Sequence, residues 1–425
     1  MARKLSNWLE SYLKYTLNSE PPDLYRLWVG ISVIASVLQR RVYLKWEKKT
    51  FPNMYIVLVG PSGKCRKGTA MYPGQALLRG IGINMSADSI TREALIQDIK
   101  GAEETDINVK DHVINIHSSL TIFSKELTVF LGYNNAPLMS ALTDWYDCDD
   151  RWTYRTKHMG TDEIINVWVN LIGATTPELI QTALPQDAIG GGLSSRIIFV
   201  YEEDKGKIVP APFLTPLDKK LRKSLEEDLG KLQMMSGEFK ITEEFMNYWI
   251  DWYTNQTKNP PVMDSKFSGY LERRPHHVLK LSMILSAAED DSLLVEIRHM
   301  KEAITILEQT EVKMPYTFSG MGQSDLSEVT DRVIRTLAIR GKISQSELLR
   351  LFYLDADKLT LSRIIDTLVS MGVVKPHYIG NEAILEYVSK EERERKEAKE
   401  KKRLVVRKTD DQTTLKLKDR DEQKD

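Results

Sequence analysis

Apolar positions along the chain change period, and the changes divide it. Leu5, Trp8, Leu9, Tyr12 and Leu13 recur at helical spacing and predict a helix over 5–17. Pro21-Pro22 ends it, and a second helix is expected over 24–39 with Asp23 as its N-cap. That second helix is apolar almost all round, so it belongs against the domain that follows. Residues 42–46 are a candidate strand. The run Tyr55–Val59 reads as a short buried strand, followed by a glycine-rich turn and a helix over 70–78. Beyond it, apolar strands at 81–86, 120–123, 167–173 and 197–201 alternate with helices at 89–100, 137–145 and 177–183. This βα alternation predicts a parallel sheet covered on both faces, with ligands at the carboxyl ends of its strands. The polar stretch at about 100–118 is expected to be a surface insertion.

The pattern shifts at Pro210-Ala211-Pro212. From 217 to 312 it is helical, in at least four segments, with a loop at 259–261. After a glycine-rich break at 319–324, helices at 329–340, 344–351 and 359–371 precede strands at 373–378 and 383–387, a winged-helix pattern. Residues 390–425 are charge-dense and nearly free of aromatics, as a disordered tail would be. The division expected is therefore an N-terminal helical segment (1–50) packed on the core, a core (51–209), a helical lid (210–318), a winged helix (325–389) and a tail (390–425).

Composition narrows the function classes. The 425 residues hold 59 Lys+Arg and 60 Asp+Glu, so any nucleic-acid surface has to be a local patch or a pore lining. The two cysteines, Cys65 and Cys148, have no partner at metal-ligand spacing, which argues for a reducing compartment and against a zinc site or disulfide framework. The first residues lack the apolar core of a signal peptide, and the longest apolar stretch, 27–38, is too short to span a bilayer. The expectation is a cytoplasmic protein with no membrane partner.

Candidate chemistry centres on residues 54–70. Glycines that let backbone N–H groups turn inward, a helix N-terminus, a lysine for the outer phosphates and a hydroxyl for Mg²⁺ make a phosphate loop. A gapless overlay of G-x-x-x-x-G-K-[ST] from Gly60 puts Cys65 at the second glycine and leaves no hydroxyl. One inserted residue puts Lys67 at the lysine and Thr69 at the hydroxyl, with Gly60 and Gly63 lining the turn and Arg66 and Gly68 beside them. The alternative is a plain turn bearing solvated basic residues.

A nucleotide site also needs carboxylates at a neighbouring strand end. The strand ending near Phe123 offers Ser124 for the metal and Glu126 as general base, although Lys125 stands where many such enzymes carry Asp. Thr175 and Thr176 end the next strand, where Thr176 is a γ-phosphate sensor or an N-cap before Pro177. Arg196, after a glycine run, either stabilises phosphoryl charge on a neighbouring subunit or pairs with a local carboxylate. Arg273 and Arg274 are candidates for contact with nucleotide across a cleft. His276 and His277, being adjacent, do not make a metal site. In the last domain Lys358, Thr360, Ser362 and Arg363 surround the start of the helix that would enter the major groove. Asp355, Asp357 and Asp366 dilute that charge, and winged helices also dock proteins.

Taken together, residues 28–35, 52–63, 66–69, 123–126, 171–177, 193–200 and 273–280 resemble phage and prophage P-loop ATPases related to the helicase part of viral primase–helicases. The strand order is similar to the AAA+ plan, and a lid followed by a winged helix is similar to minichromosome maintenance helicases. The resemblance implies Thr176 as first sensor, Arg196 as arginine finger and Arg273 or Arg274 as second sensor. It also implies a ring of six copies that holds ATP and Mg²⁺ between subunits and single-stranded DNA in its pore, with other replication proteins as partners. The expectation is thus an α/β, AAA+-like P-loop NTPase with a C-terminal winged helix, acting as an ATP-dependent DNA helicase of a phage or mobile element. Alternatives are an ATP-binding initiator or helicase loader that binds DNA without unwinding it, and a non-hydrolysing scaffold.

Overall fold

Two helices lead into the sheet. α1 (Trp8–Tyr15) starts where the Asn7 side chain accepts the Glu10 N–H at 3.1 Å. α2 (Asp23–Leu38) is buried along most of its length, as its all-round apolar character requires, and packs on the sheet and on the helix that follows the glycine turn. The computed structural model describes residues 3–108, 113–133, 135–156, 160–184, 191–258, 261–262, 264–318, 325–353, 355–380 and 382–388. Of the expected features, the break at 319–324, part of the 259–261 loop, Gly190 and the tail at 390–425 lie outside the described residues. The chain divides into two units, 1–319 and 320–425.

After α2 come β1 (Val42–Lys45), β2 (Lys49–Thr50), β3 (Tyr55–Val59), α3 (Lys67–Gly80) and α4 (Arg92–Gly101). Then follow β4 (Glu103–Asn108), β5 (Val113–Ser124), α5 (Leu127–Leu131) and α6 (Ala136–Tyr146). A hairpin, β6 (Arg151–Thr156) and β7 (Gly160–Ile165), precedes β8 (Val167–Thr175), α7 (Pro177–Ala183) and β9 (Ile197–Tyr201). The main sheet has the order β4-β5-β8-β3-β9; β5, β8, β3 and β9 are parallel, and β4 is antiparallel at the edge. Every residue of β3, β8 and β9 is buried, the mark of parallel strands covered on both faces. The first unit is an α/β fold.

Two expectations need correction here. The stretch at 100–118 is not a surface insertion, because β4 and the start of β5 form an antiparallel ladder from Glu103↔Ser118 to Asn108↔Val113. The strand expected at 81–86 contributes a single parallel bridge, Met85↔Thr121, farther along the same side of β5.

The second half of this unit holds α8 (Pro216–Leu232), β10 (Gly237–Ile241), α9 (Glu243–Lys258), α10 (Ser268–Glu289), β11 (Leu294–Val295) and α11 (Ile297–Glu311). β10 and β11 join β1 and β2 in a second sheet, β11-β10-β1-β2, in which Val42 pairs with Gly237. Trp28 Nε1 donates to Thr310 Oγ1 at 2.9 Å, and Lys280 Nζ donates to Asn53 Oδ1 at 2.7 Å. Segments 1–50, 51–209 and 210–318 are thereby knitted into one unit by pairings far apart in sequence.

The second unit contains α12 (Asp325–Arg340), β12 (Lys342–Ser344), α13 (Gln345–Phe352), α14 (Lys358–Ser370), β13 (Val374–Ile379) and β14 (Glu382–Tyr387). Val333, Leu337, Leu348, Leu361 and Leu368 fill its core. The expected two-stranded hairpin gains β12 as a third antiparallel strand, in the order β12-β14-β13. No helix among the described residues is long and apolar enough to cross a membrane.

Candidate functional site

The carboxyl ends of the parallel strands gather most of the sequence-derived candidates. Val59, the last residue of β3, pairs with Thr175 on one side and Tyr201 on the other, and the Gly60 N–H donates to the Thr175 carbonyl at 3.3 Å. Gly60 is required by packing: a Cβ there would lie 2.3 Å from the Glu202 carbonyl and 2.8 Å from Cys65 Sγ. Gly63 is required by conformation, with φ at +72°. The turn closes over Cys65, whose buried thiol donates to the Glu202 carbonyl at 3.0 Å and is pushed up in pKa by burial.

α3 starts at Lys67, three residues before the sequence pattern suggests, so Gly68 and Thr69 fall in its first turn. Arg66, in the left-handed region at φ 56°, precedes it, and no side chain caps the helix. The N–H groups of a first turn have no partner within their own helix, and these sit where Gly68 and Thr69 are exposed. A Cβ on Gly68 would meet nothing within 4 Å, so neither packing nor backbone conformation demands glycine there.

Lys67 Nζ folds onto the turn, donating to the carbonyls of Gly60 and Pro61. Desolvation lowers its pKa, against the opposing pull of Cys65, Glu126 and Glu178. Glu126 and Glu178 are thus the carboxylates in electrostatic reach of the lysine. Glu126 is exposed and, although it precedes α5, its side chain makes no capping bond. Ser124, at the end of β5, holds a buried hydroxyl with no partner, and Lys125 is exposed. Thr176 accepts the Leu179 N–H at 3.4 Å and so caps α7. Glu178 was not singled out from sequence; its signal was an acidic residue in the first turn of a helix that follows a strand end. Among the described residues no group of three or more His, Cys, Asp or Glu could hold a metal. Mg²⁺ bound with phosphates is ordinarily held by one or two carboxylates and several waters, and Glu126 and Glu178 are the carboxylates nearest Lys67 in electrostatic terms.

Arg66 departs from expectation. Its Nε pairs with Glu20 at 2.8 Å; Lys205 shares that carboxylate, and the two bonds hold the Glu20 pKa down at about 2. Its Nε therefore ties the turn to the α1–α2 connection. A cleft of about 870 Å³ between α1, α2 and α11, walled by Leu13, Leu24 and Leu27, reaches this edge through Glu202.

The remaining arginines lie elsewhere. Ile197 pairs with Tyr55, the first residue of β3, so Arg196 stands at the amino edge of the sheet, opposite Lys67. It is buried, with Nη2 2.5 Å from Asp147 and Nη1 2.9 Å from the Gly192 carbonyl. Arg273 reaches the other oxygen of Asp147 at 3.5 Å. Arg274 is buried and gripped by Glu311 at 2.6 and 3.0 Å, with Tyr270 on the same carboxylate. An arginine committed to a buried two-bond ion pair has no donor face to turn to a nucleotide, so Arg274 is corrected to a core residue.

In the second unit, Lys358 and Arg363 are exposed on α14, while Thr360 and Ser362 are partly buried. Asp357 caps that helix by accepting the Thr360 N–H at 2.7 Å. The basic face is interrupted by Asp355, Asp357 and Asp366.

The β6–β7 hairpin also escaped the sequence pattern. Arg151 and Arg155 are exposed on it, and the rings of Trp152 and Tyr154 stack at 6.2 Å. The alternation of basic and aromatic residues over 151–155 was the available signal. Compared with known proteins, the chain matches no family model and no curated sequence.

Proposed function

We propose that the first unit is a P-loop nucleoside-triphosphatase of AAA+-like plan and that the chain is an ATP-dependent motor on DNA. The observation that carries this reading is the meeting, at one sheet edge, of an uncapped helix N-terminus with Lys67, Glu126 and the partnerless Ser124 hydroxyl. Strand order supports it: the strand before the turn lies between β8 and β9, with β5 next beyond β8, as the AAA+ plan requires. The N–H groups of α3 and the Lys67 ammonium bind the phosphates; Thr69 and Ser124 are the residues that would hold Mg²⁺, which would supply neutralising charge there. Glu126 takes the proton of the attacking water, and the Thr176 hydroxyl, which caps α7, is the sensor of the outer phosphate. Arg196 stands at the edge away from its own Lys67, so it could meet only a neighbouring copy's phosphates, and to do so it would have to leave Asp147 and the Gly192 carbonyl.

The second unit is read as a winged helix on its three helices and antiparallel β12-β14-β13 sheet, with Lys358 and Arg363 toward DNA. The test is ATP turnover by the purified chain with single-stranded DNA, with Lys67→Ala as control. Turnover lost in the variant supports the reading, and none in either protein refutes it. Strand displacement then separates a helicase from a loader.

A further inference from the structure

Between β9 and α8 the chain crosses the α1–α2 connection as a strap, residues 202–215, that is neither helix nor strand. Its course is fixed by hydrogen bonds. Lys205 Nζ and the Val209 N–H donate to the Glu20 carboxylate at 2.8 and 3.5 Å, and the Gly206 N–H donates to the Glu20 carbonyl at 3.0 Å. Farther along, Asn18 Nδ2 donates to the carbonyls of Ala211 and Phe213 at 3.4 and 3.3 Å, and Lys207 Nζ donates to the Leu17 carbonyl. Pro210, Pro212 and Pro216 restrict φ at three further points. A capping box between Thr215 and Asp218 then starts α8.

What the strap displays is apolar. Phe213 is 78% exposed, Ile208 75%, Leu217 72% and Leu214 45%, and Leu17, whose carbonyl bonds the strap, is 55% exposed. Apolar side chains scattered singly over a surface need no explanation. Four within the ten residues 208–217, on backbone held in place, amount to a patch that marks an interaction site.

Charge at the patch has one sign. From 205 to 223 six residues are Lys or Arg and Asp218 alone is acidic; its carboxylate is taken up by the Thr215 N–H and hydroxyl at 2.8 and 2.7 Å. Lys205 is paired with Glu20 and Arg222 with Glu226. Lys219 and Lys220, exposed in the first turn of α8, have no ion pair among the described residues. Asp204 lies at the other end of the strap, in electrostatic reach of Cys65.

Apolar side chains flanked by unpaired cations select a partner of complementary composition. Single-stranded nucleic acid is held by stacking rings and phosphate contacts, whereas three of the four strap side chains are aliphatic. A membrane surface takes the continuous apolar face of an amphipathic helix, whereas these side chains come from a proline-rich strap and a helix start. A peptide segment with leucine or phenylalanine anchors beside carboxylates satisfies both the apolar side chains and the lysines. We infer that residues 208–220, with Leu17, form a docking surface for an acidic, apolar segment of another protein. The surface does not depend on the nucleotide reading, although Glu20, which holds the strap, also holds Arg66 beside the phosphate loop.

Fluorescence anisotropy of the full chain tests this with a labelled synthetic peptide, a helix former carrying Leu and Phe on one face and Asp and Glu on the other. Saturable binding is expected, weakened about tenfold by Phe213→Ser with Leu217→Ser and by a similar factor by Lys219→Glu with Lys220→Glu. Melting temperatures should stay near wild type, because all four side chains are exposed. The charge-reversed variant should also prefer the same peptide with Lys in place of its acids, a reversal that a destabilised protein does not produce. Wild type that does not bind the acidic peptide overturns the inference, as does equal binding by wild type and both variants. A labelled single-stranded oligonucleotide and phosphatidylglycerol vesicles are measured alongside. If either binds through Phe213 and Lys219 while the peptide does not, the surface belongs to that partner and the inference fails.

Discussion

The two edges of the main sheet use the same kinds of residue in opposite ways. At the carboxyl edge Glu126 and Thr69 are exposed, α3 is uncapped, and Lys67 has only loop carbonyls to bond. At the amino edge Arg196 is buried on Asp147, and Lys280 is buried on Asn53. Farther along α10, Arg274 is enclosed by Glu311. The first set satisfies itself poorly and suits a ligand; the second is mostly consumed by the fold. Spacing of charged residues in the chain does not tell the two apart. Partner and burial do.

The contrast is easiest to break at Arg274. Arg274→Ala leaves Glu311 buried and unpaired, and should cost about 3–5 kcal/mol in denaturant unfolding. A small loss would show that the pair is not structural. Next is Glu126→Gln, which should lower kcat by about 10²–10⁴-fold while leaving nucleotide affinity and melting temperature near wild type. Unchanged turnover would move the base to Glu178.

Lys280 provides a pH test. Burial lowers its pKa from 10.5 in the unfolded chain to about 8 in the fold. Between those values the unfolded state binds more protons, so the burden of the buried charge is fully present below pH 8 and is relieved as pH rises toward 10.5. At ~1.4 kcal/mol per pKa unit the relief amounts to about 3 kcal/mol. The stability difference between wild type and Lys280→Met, measured by urea unfolding from pH 7 to 10.5, should narrow by that order; a constant difference would contradict it.

The glycines give the smallest and sharpest contrast. Gly68→Ala meets no atom and should raise helix stability by up to about 1 kcal/mol while weakening phosphate binding. Gly60→Ala collides with the Glu202 carbonyl and should destabilise the fold outright. Paired melting and binding curves for the two variants check both.

Much of this was legible in the sequence where local pattern decides structure. Tyr55–Val59 and Ile197–Tyr201 are uninterrupted apolar runs, and Pro177 opens α7 at the expected residue. The parallel sheet follows from their alternation with helices. β4 was not legible because Glu103–Asn108 is polar and is held by pairing with β5 at the edge. The second sheet was missed because β1 finds β10 nearly 200 residues away, a pairing that no local period encodes. The same holds at the site. Lys67, Gly60 and Gly63 stand out by spacing, whereas the fates of Arg66 and Arg274 depend on Glu20 and Glu311, which only the fold brings near.

The central claim is that the exposed end of α3 with Lys67 binds nucleoside triphosphate. Calorimetric titration of the full chain with a slowly hydrolysed ATP analogue and Mg²⁺, beside Lys67→Ala, tests it most directly. The account predicts saturable binding to wild type and about a hundredfold weaker binding to the variant, a loss of ~2.7 kcal/mol. Equal affinity in the two proteins, or no binding to wild type, would contradict it.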